Sequence, residues 1–220
     1  MEDSAQPPVR LRPRLRGVSH QYAFFASLIT GTVLVAAAPT GRAVLAAAVY
    51  GVSVSAVFGV SALYHRVTWS PRGYRRMKRL DHAMIFVLIA GTFTPFGVLT
   101  LSGALAAVVL TVVWSGAAAG IVLKLAWIDA PRWLSAALYV ALGWVGVAAV
   151  PELLVRMGWM ATGLLLLGGL LYSAGALIYA LRRPNPAPGV FGYHEVFHAL
   201  VIAAALAQYA VVVFFVLPTS

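Results

Sequence analysis

Near the end of the chain, His194 and His198 stand one helical turn apart at the start of an apolar run. At i and i+4 their Cβ atoms lie about 5–6 Å apart on one helix face, close enough to grip a single metal ion. With Glu195 between them they spell H-E-x-x-H, which in a water-soluble chain points to a zinc peptidase with the glutamate as base. That chemistry needs a third ligand, and in zincins it usually lies downstream. No Asp, Glu or His follows His198.

Other polar residues sit where apolar spans should be. Ser61 and His65 are one turn apart in a long apolar segment, and Asp81 and His82 open another. Ionisable groups inside such spans are costly and mark function by default. Three neutral imidazoles, from His65, His194 and His198, would leave a fourth position on zinc for water, the pattern of a catalytic rather than a structural site. A divalent cation with one hydroxide and the Asp81 carboxylate sums to about zero charge, which a low-dielectric site tolerates. Ser61 has two readings on spacing alone: a hydrogen bond to a ligand, water or substrate carbonyl, or a bond to its own helix backbone.

The elements that must position these residues are membrane helices. Apolar residues make up 61% of the chain and charged ones 10%, with a mean hydropathy of +0.88, far from the balance of a soluble domain. Residues 17–41, 43–65, 133–151, 157–181 and 196–220 are free of charge apart from their histidines. Each supplies the roughly 20 apolar residues that cross a hydrocarbon core. The uncharged run 82–123 is about twice too long for one crossing, and Ser102-Gly103 offers a turn. The expected fold is all-α: a polytopic seven-transmembrane-helix bundle with helices near 20–38, 43–66, 80–101, 104–124, 132–150, 157–181 and 193–217. Residues 1–17 read as a basic disordered tail and 18–220 as the transmembrane domain.

Arginines and lysines before helix 1 and between helices 2 and 3, 4 and 5, and 6 and 7 fall on one side of an alternating chain, leaving Arg42 and Arg156 for the other. The positive-inside rule then puts the N-terminus in the cytoplasm and the C-terminus outside. Topology and attraction to anionic headgroups account for the net charge of +10, with no need for nucleic acid. In this arrangement His65, Asp81, His194 and His198 share one depth, the cytoplasmic boundary. Glu195, about 100° round the helix from His194, need not face the metal; its two readings are an acid that meets water or a loop arginine at the helix start, where it suits the dipole, and a direct part in the chemistry. His82 reads as structural, and His20 stands alone at the start of helix 1. Pro95 should bend helix 3, with the hydroxyls of Thr92 and Thr94 helping to satisfy freed carbonyls. Small residues from Gly116 to Gly120 and at Gly168-Gly169 read as close helix contacts.

Three blocks together, Ser61 to His65, Leu80 to His82 running into Ile89 to Phe96, and Gly192 to His198, resemble the hemolysin III family, the bacterial branch of the progestin and adipoQ receptor (PAQR) family. The resemblance covers about residues 18–217. It implies a seven-helix bundle with cytoplasmic N-terminus in the inner (plasma) membrane. It also implies Zn2+ held by His65, His194 and His198, with Asp81 holding a water near the metal and Ser61 beside it. Eukaryotic relatives resemble lipid-amide hydrolases with ceramidase activity. The function expected is therefore a zinc-dependent hydrolase of a membrane lipid amide or ester, with Asp81 and Ser61 as catalytic residues. Its rivals are a receptor-like or membrane-homeostasis protein with structural zinc, and a pore-forming haemolysin.

Overall fold

The computed structural model describes residues 13–219, and the first twelve residues of the expected basic tail lie outside them. Seven helices follow: α1 (Val18–Ala37), α2 (Gly41–Arg66), α3 (Pro71–Pro95), α4 (Gly103–Ala126), α5 (Arg132–Gly143), α6 (Val150–Leu181) and α7 (Tyr193–Val211). Among the described residues six helical stretches are long and apolar enough to cross a membrane. One of them, Arg132–Leu181, runs for 50 residues. Straight, it would measure about 75 Å, far more than one crossing. Instead it doubles back near Gly158, whose φ of 76° and ψ of −180° interrupt the helix. Trp144 Nε1 donates to Ser173 Oγ at 2.9 Å, and α5 packs along α6, so two antiparallel rods occupy this stretch. The result is an all-α polytopic membrane fold.

Helix starts follow local chemistry. The Thr40 side chain accepts from the Ala43 amide at 3.2 Å to cap α2, and Ser70 accepts from the Gly73 amide at 3.2 Å to cap α3. With Pro71 in the first turn, α3 begins there rather than near residue 80. The basic segment expected as a loop is therefore mostly helix, and it carries Arg75, Lys78 and Arg79 as an extension of α3 beyond its apolar part. Pro95 ends the regular helix without a sharp break, and a π-helical turn, Phe96–Thr100, continues it. Thr92 and Thr94 donate to the carbonyls of Leu88 and Ala90 at 2.7 and 2.9 Å. They do not reach the Gly91 carbonyl that the proline leaves without its amide partner.

Consecutive helices are neighbours, and α7 closes on α1 as well as α6. Small residues permit this closeness. A Cβ on Gly91 would fall 2.2 Å from Ser53 Oγ, and one on Gly120 2.3 Å from the Phe86 ring. Of the pair Gly168-Gly169, only Gly168 meets a neighbour, Gln208 on α7. Packing without a hydrophobic drive relies on such approach.

The end of the expected tail is seated. The amides of Arg14 and Leu15 donate to the carbonyls of Gly189 and Val190 at 3.1 Å each, tying residues 13–17 to the α6–α7 connection. At the same end, Asp129 in the α4–α5 connection accepts from Lys78 Nζ at 2.9 Å. That ammonium holds the Asp129 carboxyl below the usual carboxylate range. Whatever support the contact gives is present above the ordinary carboxylate pKa and is lost as pH falls through the lowered one. At the opposite end Arg156 pairs with Glu152 at 2.8 Å and Arg42 donates to the Val98 carbonyl at 2.7 Å.

Candidate metal centre

His65 lies in the last turn of α2, and His194 and His198 lie in the first two turns of α7. The fold brings them together across the bundle. One ligand nitrogen from each falls within 4.8 Å of the others, and the Nε2 atoms of His65 and His194 are 3.0 Å apart. Zinc–nitrogen bonds of about 2.0–2.1 Å at tetrahedral angles set ligand nitrogens about 3.3–3.4 Å apart, so small ring rotations close the cluster on one cation. His198 is 1% exposed, and its Nδ1 is buried without a hydrogen-bond partner. An unpaired buried nitrogen costs about 1–3 kcal/mol, a penalty that a coordinated cation or an enclosed water removes. Three imidazole donors without a thiolate suit a borderline-soft divalent metal. The cluster can hold a metal ion.

Asp81 stands outside this ligand set, on the first α3 turns to face the bundle interior. Its Oδ2 lies 3.5 Å from His82 Nδ1, and its carboxyl engages the Ser61 hydroxyl. Ser61 and Asp81 line one cavity with His194 and His198. Ser61 is 2.8 Å from His20 Nδ1, a side-chain partner that neither of its two sequence readings named. With the proton on His20 Nδ1, Ser61 accepts from the imidazole and is free to donate to Asp81.

His20 is the residue that sequence reasoning missed. It is 3% exposed, and its ring stacks on His198 at 3.7 Å between centroids and 7° between planes. Its only sequence signal was depth: it opens helix 1 at the level expected of the other histidines. His82 keeps a structural part, with ring nitrogens 2.8 Å from the Lys78 carbonyl and 3.2 Å from the Tyr179 hydroxyl.

Glu195 points away from the metal cluster. Its Oε1 pairs with Arg16 Nε at 2.5 Å, and its Oε2 accepts from the Gly192 amide at 2.8 Å, capping α7. The reading of a helix-start acid that meets an arginine is the one the geometry carries, although the arginine comes from the N-terminal segment and not from a loop; the peptidase-base reading is not carried.

Gly17 ties α1 to the site. Its φ is 78°, and a Cβ there would lie 2.5 Å from His65 Cβ. Gly17→Ala is expected to destabilise by at least about 2 kcal/mol through left-handed strain and collision, lowering Tm and weakening metal uptake together. An unchanged melting curve would contradict this account of the position.

Two cavities meet at the cluster. The first, of about 190 Å³, is mostly apolar and runs along α3 from Asp81 to Phe96, about 22 Å of helix. Its deeper walls include Phe93, Val147 and Leu153. The second, of about 510 Å³, lies at the basic end and is lined by His65, His194, Tyr179 and several cationic side chains. His194, His82 and Tyr179 border both.

Comparison with known proteins agrees with the architecture. Residues 9–209 match the family described as haemolysin-III related. The chain is 33% identical over 181 residues to the Hemolysin-3 of Bacillus cereus, covering 82% of this chain and 80% of that one. It is 32% identical over 167 residues to the Hemolysin-3 homolog of Bacillus subtilis, covering 76% and 75%. An Adiponectin receptor protein of Drosophila melanogaster is 35% identical over 157 residues, 61% of this chain but 34% of the receptor. With the helical membrane bundle and the buried histidine cluster, these matches make the chain a multi-pass membrane protein that belongs to the haemolysin-III-related family, within the wider progestin and adipoQ receptor group.

Proposed function

We propose that the protein is a zinc-dependent hydrolase of a membrane lipid amide or ester, ceramidase-like in its chemistry, with the metal on His65, His194 and His198. The observation that carries this reading is the junction itself. A three-histidine cluster with an adjacent carboxylate and hydroxyl opens on a narrow apolar cavity inside a membrane bundle. A closed structural site would want a fourth protein ligand, and the cluster among the described residues has three.

Bound zinc supplies Lewis-acid polarisation of a carbonyl and lowers the pKa of a coordinated water toward about 7. The chain's own residues do the rest. Asp81 accepts a proton from the attacking water and returns it to the leaving amine or alcohol. Ser61, held by His20, donates toward the carboxylate in the resting site and toward the substrate oxygen as negative charge develops there. The apolar cavity takes an acyl chain and excludes bulk water, which strengthens each of these contacts.

Asp81→Asn is expected to cut fatty-acid release from a synthetic ceramide or N-acyl lipid by about 10²–10⁴-fold while metal content stays constant. Equal release from wild type and variant, or none from either, would count against hydrolysis. A receptor-like part with structural metal is the second reading, favoured by the name of the Drosophila relative. In that case Asp81→Asn leaves both metal and ligand affinity intact and wild type shows no turnover. The hemolysin names of the bacillary relatives suggest lysis. A water-filled pore fits poorly with Phe93, Phe96 and Leu153 lining the deep cavity.

A further inference from the structure

We propose that the basic cavity binds the phosphate of a lipid head group, so that the lipid spanning the metal centre is an anionic, phosphate-bearing one. The inference rests on the hydrolase reading only for the scissile bond; the binding site stands on its own geometry.

Five cationic side chains line this cavity: Arg16, Lys78, Lys124, Arg132 and Arg182. Two are neutralised, Arg16 by Glu195 at 2.5 Å and Lys78 by Asp129 at 2.9 Å. Among the described residues the other three have no carboxylate partner. Lys124 is the telling one. It is 1% exposed, and its ammonium rests on Ser135 Oγ, a neutral acceptor. Desolvating a cation is strongly unfavourable unless an anion accompanies it. The positive-inside bias explains cations on a surface, where water solvates them; it gives no reason to enclose one. A bound anion does.

The guanidinium of Arg132 is set in advance. Its Nη1 donates to the Tyr193 hydroxyl at 3.2 Å, and its Cζ lies 5.6 Å from the centroid of the Tyr179 ring. A planar fork held in this way suits a phosphate better than a neutral hydroxyl, because it offers paired donors and full charge. Placement then names the source of the phosphate. His194 and Tyr179 border both this cavity and the apolar one, so a lipid with its acyl chain among Ile89, Phe93 and Leu153 has its polar end among Lys124, Arg132 and Arg182. A neutral head group would leave all three cations unmatched.

The test uses the full chain in neutral detergent and two probes that differ only in the phosphate: N-dodecanoyl ethanolamine phosphate and N-dodecanoyl ethanolamine. Inorganic phosphate is the soluble competitor. At low salt the phosphorylated probe is expected to bind at least about tenfold more tightly, and the preference should shrink as salt rises from about 0.05 to about 0.5 M. Lys124→Met and Arg132→Gln should each reduce it by about fivefold or more without changing affinity for the neutral probe, and Lys124→Arg should retain it. Should burial make Lys124→Met unstable, Arg182→Gln at the exposed rim carries the same expectation with a smaller drop. Equal binding of the two probes overturns the proposal, as does a preference that survives all three charge removals. Saturable binding of inorganic phosphate with no gain for the phosphorylated lipid also overturns it, leaving a soluble-anion site. A clear phosphate preference without fatty-acid release from either probe keeps this site and removes the hydrolase reading, so the two failures are told apart.

Discussion

His194→Ala is expected to lower affinity for zinc by on the order of a thousandfold. An apparent binding free energy of about 10–16 kcal/mol shared among three or four ligands is about 3–5 kcal/mol each, and 1.4 kcal/mol is a factor of ten. His194 is also one of three rings, with His82 and Tyr179, that border both cavities, so its loss widens the opening between them and admits water to the apolar side. Any release of fatty acid should fall with the metal. Isothermal titration of apo protein with zinc, beside the same titration of the variant, reads the effect directly. The helix should survive, since Ala is the best helix former and α7 keeps its cap from Glu195. A variant that binds zinc like wild type would remove His194 from the ligand set.

Glu195→Ala is the second large effect, and it acts on stability before chemistry. The carboxylate is 2% exposed and its Arg16 partner 18%. Removing one member of a buried pair costs about 3–5 kcal/mol because the other charge is stranded. Residual exposure of Arg16 puts the value near the lower end, and the lost cap at Gly192 adds about 1 kcal/mol. For a chain of this size the sum of about 4 kcal/mol corresponds to a fall in Tm of roughly 8–16 °C. The fraction that remains folded should hold its metal. Arg16→Met combined with Glu195→Leu should recover much of the loss, since neither charge is then stranded. A peptidase base would behave in the opposite way, with Tm unmoved and turnover abolished. A Tm within about 2 °C of wild type would show that the ion pair contributes little.

Much of this is legible in the sequence, for physical reasons. Burying a backbone in hydrocarbon leaves helices or closed barrels as solutions, and continuous uncharged runs of about 20 apolar residues select helices, so those runs marked the class and nearly all the spans. The reversal at Gly158 gave no loop to see: the break expected between residues 150 and 157 fell on residues that are helical, and the turn lies at Gly158, inside the segment expected as helix 6. The depth of His65, His194 and His198 followed from counting helices. What could not be read was azimuth. Whether His20 faced lipid or bundle depended on how α1 rolls against α2 and α7, and a single histidine carries no period. Glu195 was readable as a helix-start acid, but its partner Arg16 was expected in a disordered tail. The start of α3 was missed although Ser70-Pro71 is a capping signal, because a dense run of arginines looked like a loop between spans. That extension brings Lys78 to Asp129 and helps to shape the basic cavity.

Elemental analysis of the purified protein, after dialysis against a weak chelator and re-exposure to zinc, addresses the convergence of the three imidazoles most directly. The account predicts one zinc per wild-type chain and close to none in His65→Ala, His194→Ala and His198→Ala, each folded by circular dichroism. A wild-type chain that takes up no metal, or a zinc that persists when all three histidines are replaced, would contradict it.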